Sequence, residues 1–345
     1  MLALGIETSC DESAVAIVDD NRNVLSHKLI SQFEAHQPYG GIVPEIAARA
    51  HLEHIDRLIL QSLDEANVDL KQIDVFAATA GPGLIGGLIV GVMTAKTLAS
   101  MFSKPFIAVN HLEAHALTVR FTNTIEFPFL LLLVSGGHCQ LLIVEGVGKY
   151  KCIGNSLDDA AGECFDKVAQ MLNLEMPGGP SIQEFAKLGD SQRFSFPKPL
   201  KKRGGCDFSF SGLKTAVKNT INYIQEKGAS EQDLKDLAAS TQEAIINHLI
   251  ERTKNFLVSN ESQSIKSLVL SGGVASNELL RSSLNKIILS KKMDFYVPPV
   301  ELCTDNGIMV AWAGLERYRL GLSDPLSFKP KPRWPLDKIK NNKQI

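Results

Sequence analysis

No CxxC pair occurs among the six cysteines, Cys10, Cys139, Cys152, Cys164, Cys206 and Cys303. Scattered over 345 residues, they exclude a small disulfide-bonded secreted scaffold and point to reduced thiols in a cytosolic or organelle-matrix protein. There is little net charge, about −2, so no global basic field advertises a nucleic-acid protein, and any polyanion must be met by a local patch. A basic segment followed by an apolar one is missing at the N-terminus, so no signal peptide is expected. The expected location is the cytoplasm, and the lack of a transit peptide favours a bacterial source. Neither a P-loop, GxxxxGK[ST], nor a convincing GxGxxG is present. The one stretch long enough to span a membrane, Val75 to Ala95, is uncharged but interrupted by Pro82 and by Gly81, Gly83, Gly86, Gly87 and Gly91. It reads as strand, glycine turn and buried helix, so no membrane association is expected.

What is there is an ordinary globular balance, 44% apolar and 21% charged, in a chain long enough for two lobes. The N-terminal part reads β-β-β-α-β-α-β: LALGIE, ESAVAIVD and VLSHKLIS, a helix through PEIAARAHLEHIDRLIL, then VFAATA, GGLIVGVMTAKTLASMF and PFIAVN. The pattern restarts at FPFLLLLVSGGHCQLLIVEG and runs through DDAAGECFDKVAQML, a long amphipathic helix ending NFLVS, SLVLSGGVASNELL and DFYVPP. It closes on NGIMVAWAGLERY. Two such units in tandem predict an α/β duplication, two lobes with a central cleft. MPGGPSIQEFAKLGDSQRFSFPKPLKKRGGCDFSFSGLKTAV reads as an insertion and the Pro- and Lys-rich tail as extended or frayed.

Three glycine or small-residue turns stand at corresponding places: TSCDES after the first strand, VSGGH at 134–138 and LSGGVASN at 270–277. Small residues let backbone N–H groups approach a ligand, and the last turn opens a helix whose N-terminus favours an anion. Together they suggest a nucleotide.

In NHLEAHA, His111 and His115 are four apart and share a helix face. The spacing suits two ligands of one ion, and equally a solvated helix face or two satisfied core histidines. A zincin requires HExxH. Glu113 stands two residues from His111, roughly 200° around a helix, so it points away, and Ala114 excludes the inverted HxxEH. Asp305, just before the last helix, is the attractive third ligand. An ordinary helix N-cap is its competing role.

The motifs GIETSCDESAVAIV, GGIVPEIAARAHLEH, GPGLIGGL, NHLEAHA, LLVSGGH, GECFDKVA, PGGPSIQ, FSFSGLKTAV, LSGGVASN and TDNGIMVAW occur in this order. Through them the chain resembles the TsaD/Gcp family, the tRNA threonylcarbamoyladenosine transferases, from Gly5 to Asp337. Cys139 departs from the threonine expected after SGGH. The resemblance implies a duplicated actin-like ATPase fold of the ribonuclease H-like class. Residues 1–115 with 305–330 are expected to form lobe I, residues 116–304 lobe II with an insertion near 174–216, and residues 331–345 a basic tail. It implies transfer of a threonylcarbamoyl group from threonylcarbamoyl-AMP to N6 of adenosine 37, just 3′ of the anticodon, in tRNAs reading codons that begin with A. It implies one divalent metal on His111, His115 and Asp305, iron(II) before zinc, and a nucleotide site at Val134, Ser135, Gly136, Gly137, His138, Asp166, Gly179 and Asn277, bordered by Glu184. Implied partners are tRNA, a non-catalytic paralogue of the same fold and a small P-loop ATPase.

An open metal site would polarise the carbamoyl carbonyl, and the amides of Ser135 to Gly137 would hold the departing phosphate. Asp11 or Glu12 is the candidate to accept the proton of the adenine amine. Lys198, Lys201, Lys202, Arg203 and Lys214 form a basic strip able to track phosphates. A small-molecule kinase would use a catalytic Asp with Mg²⁺ rather than a histidine-bound metal, a metalloprotease fails on Glu113, and an actin-like assembly protein needs no such ligand trio.

Overall fold

The computed structural model describes residues 1–201 and 203–339. The chain divides into two compact units: unit 1 is Met1–Ile125, Gly146–Tyr150 and Thr304–Ile345, and unit 2 is Glu126–Glu145 and Lys151–Cys303.

In chain order the elements are β1 (Leu2–Glu7), β2 (Glu12–Asp19), β3 (Val24–Ser31), α1 (Phe33–His36), α2 (Pro44–Ala66), β4 (Val75–Gly81), α3 (Ile85–Met101), β5 (Phe106–Asn110) and α4 (His111–Thr122). β6 (Phe129–Val134), β7 (Cys139–Gly146), β8 (Lys149–Asn155), α5 (Ala161–Met171), α6 (Gly178–Ala186), α7 (Ser211–Glu226), α8 (Glu231–Leu257), β9 (Ser267–Ser271), α9 (Glu278–Ser290), β10 (Asp294–Tyr296) and α10 (Gly307–Arg319) complete them.

The sheet of unit 1 has the order β3-β2-β1-β4-β5, with β1 antiparallel to β2 and parallel to β4. The second sheet has the order β10-β9-β6-β7-β8, with β6 antiparallel to β7 and parallel to β9. Read from the hairpin edge, both sheets carry the same sequence of connections, so the duplication expected from the strand pattern is a duplication of topology. This is the mixed α/β, actin-like ATPase architecture.

Alternation along β1 decides what covers unit 1. Leu4 and Ile6 share a core with Ile55, Leu58 and Ile59 of α2 and Val92 and Ala95 of α3. On the other face, a Cβ at Gly5 would lie 2.3 Å from the Ala311 nitrogen, so α10 rests directly on the β1 backbone. Gly87 of α3 permits an equally close approach: a Cβ there would lie 2.2 Å from the Thr8 carbonyl oxygen. The glycines of this apolar stretch therefore serve helix-on-turn packing. Among the described residues no helix is long and apolar enough to cross a membrane.

Two local expectations change. The segment read as an insertion holds two helices, α6 and α7, whose apolar residues Ile182, Leu213, Val217 and Ile221 join the core of unit 2. Far from fraying, the tail up to Ile339 is docked: Lys331 N–H donates to the Ala80 carbonyl, Gly83 N–H to that of Pro332, and the Asn110 amide to that of Trp334. Trp334 is buried in the core of unit 1, which makes it a packing residue.

Candidate functional site

The end of β5 sets up the histidine pair. Asn110 caps α4 by accepting from the N–H groups of Leu112 and Glu113. His111 and His115 follow one turn apart, buried, with ring centroids 4.8 Å apart in an edge-to-face arrangement. Their Nε2 atoms lie 3.4 and 3.1 Å from Asp305 Oδ1. Asp305 does not cap α10, because Asn306 takes that role by accepting from Met309 N–H. Ligand atoms of all three residues lie within 4.8 Å of one another, the one such His/Cys/Asp/Glu trio among the described residues. Two imidazoles and one carboxylate fit a divalent ion with coordination positions to spare. Glu113 faces elsewhere. Fully buried, its carboxylate accepts from Gly148 N–H, the Tyr150 hydroxyl and Arg317.

Behind His111 stands Glu7, the last residue of β1, fully buried. It accepts from Ser9 N–H at 2.6 Å and from the Thr79 hydroxyl, and its Oε2 lies 3.2 Å from His111 Nδ1. Ser9 Oγ is also 3.2 Å from Nδ1. Burial would raise the Glu7 carboxyl, but the His111 charge holds it below the usual range. Burial would likewise lower His111, but Asp305 and Glu7 hold it well above. Burial would raise Asp305, but His111 and then His115 hold it far below the ordinary carboxylate range.

The turn from Cys10 to Ser13 adjoins this cluster. Burial, then the charges of Asp305 and Asp11, push the Glu12 carboxyl well up. Burial also pushes the Cys10 thiol up, so it is not a thiolate. His51 of α2 clamps the turn: its Nδ1 is 2.7 Å from Ser13 Oγ and its Nε2 3.2 Å from the Cys10 carbonyl oxygen. Sequence reasoning missed Glu7 and His51. A carboxylate ending the apolar run LALGI, and a histidine on the buried face of AARAHLEH, were the available signals.

In unit 2, Val134 ends β6 and Ser135 to His138 make the turn. Ser135 N–H donates to the His138 carbonyl and His138 N–H to Ser135 Oγ. Gly136 and Gly137 are exposed. The first turn of α5 leans on this loop, with Gly162 and Glu163 N–H donating to the carbonyls of Ser135 and Gly136. Gly272 lies against it with φ +91°, where a Cβ would stand 2.5 Å from the Val134 carbonyl oxygen. Asp166 of α5 accepts from Gly178 N–H, beside Gly179 in the first turn of α6. Asn277 caps α9, accepting from Leu280 N–H and donating to Gln242. One N–H and one lone pair of its amide remain. Glu184 lies exposed, paired with Lys187.

Lys198, Lys201 and Arg203 are exposed on the strap between α6 and α7. Arg203 is 3.9 Å from Asp207, whereas Lys214 is held in an ion pair with Asp159. Lys202 lies outside the described residues. A cavity of about 550 Å³ lined by Phe194, Phe196, Lys198, Glu243 and His248 separates the strap from α8 and includes none of the turn residues.

Comparison with known proteins follows the same lines. The fold resembles HypF of T. kodakarensis (TM-score 0.58, 17% identity, 93% of this chain and 48% of that one). It also resembles component A of the Acidaminococcus fermentans (R)-2-hydroxyglutaryl-CoA dehydratase (TM-score 0.53, 15% identity, 92% and 99%). In sequence, the chain is 55% identical over 341 residues to a tRNA N6-adenosine threonylcarbamoyltransferase of Rhodospirillum rubrum, covering 97% of this chain and 94% of that protein. It is 52% identical over 336 residues to the protein of the same name from Wolbachia pipientis wMel, covering 97% and 98%. Residues 23–312 match the family described as TsaD, tRNA N6-adenosine threonylcarbamoyltransferase, and with the full-length relatives this establishes that the chain belongs to that family of transferases.

Proposed function

We propose that the chain moves the threonylcarbamoyl group of threonylcarbamoyl-AMP to N6 of adenosine 37, in tRNAs reading codons that begin with A, and releases AMP. The observation that supports this best is the convergence of His111, His115 and Asp305 beside a turn carrying two carboxyls, Asp11 and Glu12. These three residues would hold one divalent ion, iron(II) before zinc, which when bound supplies a Lewis acid for the carbamoyl carbonyl. Open coordination positions favour a transferred group over a purely structural ion.

The chain's own residues do the rest. Glu12, its carboxyl held above the ordinary range, suits a base that takes the proton of the adenine amine near neutral pH, with Asp11 the alternative acceptor in the same turn. Amides of Ser135, Gly136 and Gly137 would receive the AMP phosphate after Val134, with His138 closing the turn. Asp166 is suited to ribose hydroxyls and Asn277 to ribose or base through its remaining N–H. Gly179 leaves room for the nucleotide, and Glu184 borders it. An amine this weak makes positioning the larger contribution. Exposed Lys198, Lys201 and Arg203 would follow the tRNA backbone. Lys214 can join only by leaving Asp159.

The paralogue partner would dock on the apolar stripe of α3, where Ile85, Ile89, Met93 and Met101 are exposed, with Leu52 and Leu60 of α2 alongside. A small P-loop ATPase completes the assembly, in the cytoplasm. Incubation with threonylcarbamoyl-AMP, iron(II) or zinc, the partners and unmodified tRNA should yield threonylcarbamoyladenosine by mass spectrometry. Unmodified adenosine under those conditions refutes the donor.

A further inference from the structure

We infer that Glu7 is the positioning residue of the ligand trio: it holds the His111 proton on Nδ1 and so presents the Nε2 lone pair to the ion. The inference rests on the metal reading above and adds a residue to it. Glu7 ends a strand that is otherwise wholly apolar, LALGI, and is 0% exposed. A carboxylate in such a place is costly unless fully partnered, and its partners are specific. Oε1 accepts from Ser9 N–H, and Oε2 accepts from the Thr79 hydroxyl and faces His111 Nδ1 at 3.2 Å. With both oxygens tied to β4 and to the turn after β1, the carboxylate cannot swing away.

The second neighbour of Nδ1, Ser9 Oγ at 3.2 Å, can also accept. A ring nitrogen between a carboxylate oxygen and a hydroxyl oxygen is best satisfied by carrying the hydrogen. With an ion bound, the other ring nitrogen has given up its proton and offers its lone pair to the ion on the side of Asp305 Oδ1, 3.4 Å away, where the ligand atoms converge. Carboxylate, imidazole and ion in line fix both the tautomer and the ring plane, and raise the basicity of the ligating nitrogen.

The test uses the full chain and two probes, Zn(II) by chelator competition and Co(II) by its visible d–d bands. Glu7→Gln keeps the volume but puts an NH₂ among donors. It should bind both ions roughly 10- to 100-fold more weakly and shift the Co(II) bands, with circular dichroism unchanged. Should that variant not fold, the wild type decides. In the Zn(II)-loaded, ¹⁵N-histidine-labelled protein, long-range ¹H–¹⁵N spectra should show the His111 proton on Nδ1, assigned by its loss in His111→Asn. A folded Glu7→Gln with wild-type affinity and bands, or a His111 proton on Nε2, overturns the inference alone. Failure of the wild type to take up one Zn(II), or equal uptake by His115→Ala, overturns the metal reading as well.

Discussion

Replacing Glu113 by glutamine separates the structural face of α4 from its ligand face. The carboxylate, buried opposite the histidines, accepts from Gly148 N–H at 2.8 Å, from the Tyr150 hydroxyl at 3.0 Å and from Arg317 at 3.0 Å. Burial and then Glu113 itself push the Tyr150 hydroxyl well up, so it stays a donor. An amide offers one oxygen and two N–H groups to a pocket made of donors, and it takes from Arg317, 2% exposed, the stronger of the two carboxylates, Glu113 and Asp324, that stabilise its charge. Removing one partner of such a buried pair costs about 3–5 kcal/mol. With a urea dependence near the upper end of about 1–3 kcal/mol per molar, the unfolding midpoint of unit 1 should fall by roughly 1–2 M. The Zn(II) affinity of the folded variant, read by chelator competition, should stay within about a factor of two of wild type. An unmoved midpoint refutes Glu113 as the main compensation of the Arg317 charge. A collapse of Zn(II) binding beyond the loss of stability refutes the division of the helix into two faces.

Glu12→Ala should lower turnover at saturating tRNA by about 100-fold or more while tRNA affinity, measured separately, holds; unchanged turnover excludes it as the base. Joint Lys201→Glu and Arg203→Glu should weaken tRNA binding and reduce the slope of log affinity against log salt by about 1.5–2, and identical salt series for variant and wild type reject the strip. Burial, and then the charge of Arg252, lower His248 to about 4 from the ordinary 6.5 of a histidine. The unfolded chain therefore takes up that proton first: stability from this group is full above pH 6.5 and is lost as pH falls toward 4, by on the order of 3 kcal/mol. His248→Gln should flatten that limb of the stability profile, and parallel profiles for the two proteins would exclude the assignment.

The order of elements was legible because parallel strands buried on both faces write themselves as unbroken apolar runs, VFAATA and FLLLLV, each stopped by glycine. His111 and His115 were legible from helical spacing, and so was the irrelevance of Glu113 to them. Asp305 was visible only as one of two readings, and of these the cap falls to the neighbouring asparagine. Glu7 was not legible, because its meaning depends on donors contributed by residues 9, 79 and 111. α6 was hidden by the prolines and glycines at its start, and α7 by a basic, glycine-rich lead-in. The tail misled for a related reason. Proline-rich chain is extended whether free or docked, and here backbone hydrogen bonds, which leave no side-chain pattern, dock it.

The closeness of α10 to Gly5 has a consequence for biosynthesis. β1 and β2 are made before unit 2, yet α10, which covers one of their faces, and the segment of Lys331 and Pro332 hydrogen-bonded to the end of β4 are made after it. Unit 2 emerges as a nearly continuous run and can complete itself in the meantime. These strands, with β4, are therefore covered on one side only late, and until α10 is made their small-residue face, Gly5, Ala16 and Ala77, lacks the helix that packs on it.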